Sequence, residues 1–262
     1  MKLEDLVKTL DDFAPLQYAE PWDNVGLLAG DLDQDVLKVI LTIDLTIPVL
    51  QESQANGCQL IIAYHPPIFT GLKRIDARSP VGIALGQRIA IYSPHTALDA
   101  ATGGTNDHLA DVVGLLSRVP IRKVASSVST SSSEWIGMGR IGSVSPGSRL
   151  GLIERVKGGL GLDQVLVAGP LEGPLNKVAV AAGAAGDLLQ LAIRQGADAV
   201  ITGELRHHDA LAAAAAGVMV ICTRHSCSER RALIPLRDRL GKTHPSVCFL
   251  VSERDADPFQ FA

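Results

Sequence analysis

The sequence predicts an α/β protein made of two similar, duplicated lobes with mixed sheets. Strands that alternate with helices, an aliphatic composition and an internal repeat are the three observations behind this prediction. Hydrophobic residues make up 47% and aromatic residues only 4% of the 262 residues, as is typical of strands covered by helices on both faces. Alternation of strands and helices indicates parallel βαβ units.

The first half of the chain shows this alternation most clearly. An amphipathic helix is predicted in MKLEDLVKTLDDF, and a turn-rich segment at 20–27 leads into a short strand. Further strands are predicted at 38–44, 60–63 and 89–93, with helices at 47–55, 81–88 and 106–115. Asn56 and Gly57 form a C-terminal stop for the second helix, and Asn106 is the expected N-cap of the last one.

The second half begins with less regular sequence. Residues 126–133, SSVSTSSS, are the only low-complexity stretch and fit either a flexible linker or a polar edge strand. A strand at 135–144, a helix at 150–159 and strands at 163–168 and 199–201 follow.

The two halves repeat one another. Aligning Gly30 with Gly169 brings Gly57 opposite Gly196 without a gap, so each half contains strand, helix, glycine stop and strand. We therefore expect a first lobe at 1–122 and a second at 123–262, facing a shared metal cleft. The C-terminal segment can also pack back onto the first lobe.

Candidate ligand residues follow the strands of both halves. The strand at 60–63 stops at His65, because Pro66 and Pro67 cannot donate to a β-ladder. Ligands of open α/β sheets bind beyond the carboxyl ends of the strands. The four residues that form the main set of candidates are His65, Asp99, His225 and Glu229.

This set combines imidazole and carboxylate groups, which suit zinc, manganese, iron or cobalt. Carboxylates can also bridge two ions, as in two-metal hydrolytic sites. The repeat supports the set, since His95-x-x-x-Asp99 in the first half corresponds to His225-x-x-x-Glu229 in the second. From spacing alone, helix caps and polar core contacts explain the same residues equally well.

Other polar residues leave more alternatives open. His95 is either a ligand or a residue that orients one. His208, beside His207, could contact a metal or a substrate, or lie in solvent. The glycine-rich stretch 183–187 suits either an anion at a helix start or a tight turn.

Charge and composition exclude several classes. The net charge is −4 with a pI near 6.0, which gives no general attraction to nucleic acid. No apolar run reaches the roughly 18 residues that span a bilayer, and the first residues resemble neither a signal nor a transit peptide. The scattered cysteines fit reduced thiols, so we expect a cytoplasmic protein without membrane attachment.

Five motifs in order resemble the Nif-three-like family, also labelled GTP cyclohydrolase I type 2 homologues. They are WDNVGL at 22–27, YHPPIF at 64–69, SPHTALD at 93–99, TGE at 202–204 with His208, and RHSCSE at 224–229. The resemblance covers nearly the whole chain. It implies two similar α/β lobes, a dinuclear divalent-metal site and a ring-shaped homohexamer.

The resemblance also implies roles for individual residues. His65, Asp99, His225 and Glu229 match family metal ligands, with Glu229 bridging two ions of Zn, Fe, Mn or Co. The implied function is a metal-dependent hydrolase that activates water on a nucleotide or phosphate-bearing substrate. The alternative is a non-catalytic metal-binding ring protein that acts in protein interaction or transcriptional regulation.

Two positions depart from the family pattern. Tyr64 stands where many members have a second histidine. In place of that histidine, the second ion is bound by the Tyr64 phenolate or by water. In that case only one ion is fully occupied. Arg224 stands where members often have glycine, which affects the shape of the loop before His225.

Overall fold

The structure is a computed structural model that describes residues 1–124 and 135–260. Its helices are α1 (Leu3–Phe13), α2 (Ile47–Asn56), α3 (Pro80–Gly86), α4 (His95–Ala100), α5 (Thr105–Val113), α6 (Arg149–Leu160), α7 (Leu188–Arg194), α8 (His207–Ala215), α9 (His225–Glu229) and α10 (Leu233–Thr243). Its strands are β1 (Gly26–Ala29), β2 (Lys38–Thr42), β3 (Leu60–Ala63), β4 (Ala90–Ser93), β5 (Leu116–Val119), β6 (Arg122–Lys123), β7 (Gly137–Met138), β8 (Arg140–Ser143), β9 (Leu166–Ala168), β10 (Lys177–Ala184), β11 (Ala199–Glu204), β12 (Met219–Cys222) and β13 (Cys248–Val251).

The chain divides into two compact units with bounds that differ from the predicted lobes. The first unit comprises Met1–Leu98 and Leu233–Ala262, and the second comprises Asp99–Ala232. The C-terminal segment belongs to the first unit because β13 pairs in parallel with β2. Residues 99–122 belong to the second unit, where β5 pairs with β8, rather than to a lobe at 1–122.

The first unit is built on a sheet with the strand order β1-β4-β3-β2-β13. All neighbouring pairs are parallel except β1 and β4. All four residues of β3 are buried, as expected for a central strand covered on both faces. The amphipathic pattern of α1 is confirmed, since Leu3, Leu6 and Leu10 are buried.

The second unit is built on a sheet with the strand order β5-β8-β10-β11-β12-β9. Its central strands β10, β11 and β12 are parallel, while β8 and β9 run antiparallel to their neighbours. The single strand predicted at 135–144 is instead two strands, because Gly139 between β7 and β8 has φ +63°. The low-complexity stretch at 126–133 lies outside the described residues.

Each unit contains a parallel trio with an antiparallel strand beside its last member. In the first unit the trio is β2-β3-β4, and β1 lies beside β4 in the sheet. In the second unit the trio is β10-β11-β12, and β9 lies beside β12. The predicted α/β class with mixed sheets is therefore confirmed. Within 1–124 and 135–260, each helix is too short or too polar to cross a membrane.

Local sequence explains where the helices begin and end. The Thr46 hydroxyl accepts a hydrogen bond from the first turn of α2, and Gly57 ends that helix with a left-handed φ of +67°. The prediction that Asn106 is the N-cap of α5 is wrong, because Gly104 occupies that position. Asn106 lies inside the helix, where its side chain forms longer-range hydrogen bonds.

Candidate metal centre

His65 is placed by the backbone that extends beyond β3. The amide nitrogen of Tyr64 donates to the Thr42 carbonyl at 2.8 Å, and that of His65 donates to the Ile43 carbonyl at 3.0 Å. The hydroxyl of Ser93 donates to the Tyr64 carbonyl at 2.8 Å. These bonds fix the backbone of His65 at the carboxyl end of the sheet, just before the two prolines.

A carboxylate orients the His65 ring. Nδ1 of His65 lies 2.9 Å from Oδ1 of Asp44. An ionised carboxylate can only accept, so this bond places the imidazole proton on Nδ1 of the neutral ring. The lone pair of the neutral ring is then on Nε2, the nitrogen that could bind a metal.

His95 has the same arrangement with another carboxylate. Its Nδ1 lies 2.8 Å from Oδ1 of Asp23, whose side chain is fully buried. The hydroxyl and the backbone nitrogen of Thr96 also donate to Asp23. Burial raises the pKa of Asp23, but the hydrogen bonds from His95 and Thr96 outweigh it, so the pKa lies below its usual value.

Three rings of the first unit pack together around His95. The centroids of His65 and His95 are 5.4 Å apart, and the centroid of the buried Tyr64 ring lies 5.7 Å from that of His95. The backbone of His95 has φ +26°, which is unusual for a residue with a side chain. Tyr64 therefore packs against both histidines that follow the strands of this unit.

The second unit brings His225 and Glu229 together on the short helix α9. One helical turn separates them, and Nε2 of His225 lies 3.3 Å from Oε1 of Glu229. Nδ1 of His225 lies 3.1 Å from Oε1 of Glu204. This histidine is thus oriented like the other two, with a carboxylate at Nδ1 and the buried Glu229 beside Nε2.

Gly183, near the end of β10, packs directly against this pair. A Cβ atom at this position would lie 2.6 Å from Oε1 of Glu229 and 3.2 Å from Nε2 of His225. Its φ is +64°, and its amide nitrogen donates to the Ser228 hydroxyl at 2.8 Å. The glycine therefore supplies space next to the two candidate ligand atoms.

Asp99 is held through its backbone. Nδ2 of Asn106 donates to the Asp99 carbonyl at 3.1 Å, and the amide nitrogen of Ala182 donates to Oδ1 of Asn106 at 2.9 Å. Asn106 thus connects Asp99 to the strand that carries Gly183. By contrast, His208 is exposed, and its ring packs against that of His207 with the centroids 5.5 Å apart.

The donor groups within each unit fit a divalent ion. Imidazole nitrogens and buried carboxylate oxygens are ligands that zinc, iron, manganese and cobalt accept. Histidines that bind metals almost always donate their other nitrogen to a carboxylate, a carbonyl or water. His65 and His225 both meet that condition, as does His95.

The sequence alone does not indicate that Asp23, Asp44 and Glu204 orient the histidines. Asp23 lies in the turn-rich segment at 20–27 and in a motif that supports the family resemblance. Glu204 also lies in such a motif, and Asp44 ends a predicted strand. Their positions within motifs and at a strand end were the available signals.

The fold and these residues define the class of protein. It is an α/β protein with mixed sheets, in which histidines paired with carboxylates follow parallel strands. A family model described as Duf34/NIF3 (NGG1p interacting factor 3) matches residues 1–258. The chain belongs to this family, and the resemblance seen in the sequence is confirmed.

Named relatives agree with this assignment. The chain is 36% identical to NIF3-like protein 1 of Drosophila melanogaster over 98% of this chain and 88% of that protein. It is 32% identical to the GTP cyclohydrolase 1 type 2 homolog of Clostridium perfringens over the full length of both.

Solved structures share the fold. The hypothetical protein SA1388 of Staphylococcus aureus has a TM-score of 0.88 at 28% identity, covering 100% of this chain and 99% of that one. A Bacillus cereus protein related to NIF3 has a TM-score of 0.91, also over 100% and 99% of the two chains. Its 21% identity supports the fold alone.

Proposed function

We propose that this protein is a divalent-metal-dependent hydrolase with a nucleotide or another phosphate-bearing substrate. The proposed ligands of two divalent ions are His65, Asp99, His225 and Glu229, with Glu229 bridging. The proposed metals are Zn, Fe, Mn or Co, since the donors are imidazole and carboxylate. His95 and His208 are secondary candidates, and the exposure of His208 makes substrate contact its better role.

The observation that carries this proposal is the His225–Glu229 pair. Its two polar atoms approach to 3.3 Å, Glu204 holds the other ring nitrogen, and Gly183 leaves space beside them. A buried carboxylate is unfavourable unless it is paired or binds a cation. Nε2 of His225 and the carboxylate of Glu229 are adjacent donors of the kinds that a divalent cation accepts.

A divalent ion at such a site lowers the pKa of a water molecule and polarises a phosphoryl or carbonyl oxygen. The chain's own contribution is orientation. Asp44 and Glu204 each accept from Nδ1, which leaves the lone pair of the neutral ring on Nε2 of His65 and His225. Ser228 accepts from the Gly183 amide and donates to the His225 carbonyl, which holds β10 against α9.

Tyr64 decides how many ions are held. Its ring is buried and packs against the rings of both His65 and His95. A neutral phenol is a weaker ligand than imidazole, so the proposal expects one ion to be occupied more fully than the other. The metal count per chain tests this directly.

We also propose that the two units are duplicated lobes whose strand ends face one metal cleft, and that the protein forms a homohexamer. Their shared order of a parallel trio followed by an antiparallel strand supports duplication. The cleft and the hexamer rest on the family resemblance.

A non-catalytic ring protein is the second candidate. The family description contains the words "NGG1p interacting factor 3", which favours a role in protein interaction or transcriptional regulation. The Clostridium perfringens relative is named a GTP cyclohydrolase 1 type 2 homolog, which favours the enzyme. A substrate screen separates the two candidates.

Elemental analysis of the purified protein is the first test, with one to two divalent ions per chain expected. Glu204→Gln should then weaken metal binding by about 10–100-fold, whereas Glu154→Gln, which removes a distant exposed carboxylate, should not. Equal metal affinity in both variants would contradict the proposed orientation of His225.

The second test measures turnover of nucleotides and phosphoesters by the metal-replete protein. Asp99→Ala and Glu229→Ala should abolish both metal binding and turnover. If no substrate of these classes is hydrolysed by the metal-replete protein, the interaction role replaces the enzyme.

A further inference from the structure

The first unit exposes two aromatic rings next to its histidines. The exposed fractions are 58% for Trp22 and 48% for Phe69. Their centroids are 5.9 Å apart and their planes are tilted by 43°, so much of each ring face stays uncovered by the other. Single exposed apolar residues are normal, but aromatic residues are only 4% of this chain.

These rings are connected to the candidate metal centre. The Trp22 centroid lies 6.1 Å from that of His95, and His95 in turn lies 5.4 Å from His65. His95 also has the unusual φ of +26°. Such backbone outliers concentrate at functional sites, where the surrounding contacts hold them in place.

The segments that carry the rings are fixed to each other. Nδ2 of Asn24 donates to the Ile68 carbonyl at 2.6 Å, which joins the turn after Trp22 to the loop before Phe69. Asp23, next to Trp22, is held by Thr96 and His95. The two segments that carry Trp22 and Phe69 are therefore joined to each other by a hydrogen bond, so their backbones are held in place.

We propose that Trp22 and Phe69 form a stacking platform for the planar heterocycle of an anionic substrate. Aromatic side chains bind nucleobases by their faces, largely without regard to sequence. Lys73 and Arg74 follow Phe69 on the same exposed loop and supply charge complementary to an anionic substituent. This inference rests on the proposed function, because the platform would place a substrate ring beside His95.

Adenosine 5′-monophosphate and ribose 5-phosphate are the test probes, because they share sugar and phosphate and differ by the ring. Trp22 and Trp135 are the only tryptophans of the chain, so Trp135→Phe leaves Trp22 as a single fluorescent reporter. In this variant, adenosine 5′-monophosphate should change the Trp22 emission, and ribose 5-phosphate should not.

Calorimetry on the metal-replete protein then gives the affinity ratio of the two probes. We expect adenosine 5′-monophosphate to bind about 10-fold more tightly. Trp22→Ala and Phe69→Ala should each remove most of this preference. Leu37→Ala, which truncates an exposed side chain before the amino end of β2, should preserve it.

Removal of the metal separates the two proposals. If the ions anchor phosphate, chelation weakens both probes together and leaves their ratio unchanged, so the ratio reports the platform alone. Equal affinity for the two probes, or a ratio that survives Trp22→Ala, would overturn the platform. A failure of both probes to bind would also overturn the platform. If Trp22→Ala changes the oligomeric state and leaves the affinity ratio unchanged, the rings belong to a contact between copies of the chain instead.

Discussion

The side-chain amide of Asn106 donates to the backbone carbonyl of Asp99 at 3.1 Å. The other end of the same amide accepts from the Ala182 nitrogen at 2.9 Å. Asn106 is 2% exposed, so neither bond can be replaced by water without rearrangement. One buried amide thus links the proposed ligand Asp99 to the strand that packs against His225 and Glu229 through Gly183.

Replacing Asn106 should therefore affect both stability and metal binding. Asn106→Ala removes one hydrogen bond from the Asp99 carbonyl and one from the Ala182 nitrogen, and the free energy of unfolding should fall by about 1–3 kcal/mol. Asn106→Asp keeps the shape and can still accept from Ala182, but an ionised carboxylate cannot donate to the Asp99 carbonyl. Its metal affinity should fall by about 10–100-fold.

Denaturant titration and metal binding measure these two effects separately. Asn176→Ala, an exposed asparagine of the same unit, serves as the control and should change neither. Wild-type metal affinity in Asn106→Asp would show that the bond to the Asp99 carbonyl does not position this residue.

Gly183 offers a test of the space beside the proposed ligands. Gly183→Ala would place Cβ 2.6 Å from Oε1 of Glu229, so it should reduce metal binding sharply. It also carries a penalty of about 1–2 kcal/mol for a side chain at positive φ. Gly186→Ala is the matched control, since its φ is +53° but no atom lies within 4 Å of the added Cβ.

Both variants have the same backbone penalty, and Gly183→Ala should lose more stability in thermal or denaturant unfolding because it alone adds a close contact. Only Gly183→Ala should lose metal, which elemental analysis after dialysis would measure. Equal metal content in the two variants would mean that the space beside Glu229 is not used by an ion.

The sequence predicted the elements of the fold better than the connections between them. Runs of apolar residues and the glycine stop at Gly57 located β2, α2 and β3, because these signals are local. Asparagine at a helix start predicts an N-cap at Asn106. Its actual partners, Asp99 and Ala182, depend on tertiary packing that no local pattern contains.

The histidines illustrate the same limit. In the sequence, the end of a predicted strand and the prolines after it indicate His65 as a candidate ligand. The carboxylate at its Nδ1, from Asp44, lies at the end of a different strand and becomes a partner only when β2 and β3 pair. Sequence patterns therefore located a candidate ligand but not the group that orients it.

Glu52 predicts a pH dependence for the attachment of the C-terminal segment. Burial raises the pKa of Glu52, but the Ser252 hydroxyl and the backbone nitrogens of Glu253 and Arg254 donate to its carboxylate and lower the pKa by more than burial raises it. The result is a pKa below the usual range. The ionised form is thus favoured by folding.

The sign of the effect follows from this direction. The stabilisation is fully present above the unfolded pKa of about 4.3 and is lost as the pH falls through the lower pKa of the folded state. Glu52→Gln should therefore be less stable than wild type at neutral pH, with a difference that shrinks in acid. Denaturant unfolding across pH measures it, with Glu172→Gln, an exposed position, as the control. A difference that is constant with pH would contradict the assignment.

Arg224 has a backbone conformation that glycine adopts with less strain. Its φ is +73° and its ψ is 148°, close to a region used almost only by glycine and costing about 1–3 kcal/mol for other residues. Because glycine also gains freedom in the unfolded chain, Arg224→Gly should raise the free energy of unfolding by about 1 kcal/mol. Arg206→Gly, at φ −70°, relieves no strain and should give no increase. If Arg224→Gly lowers the free energy of unfolding, contacts of the Arg224 side chain outweigh its backbone strain.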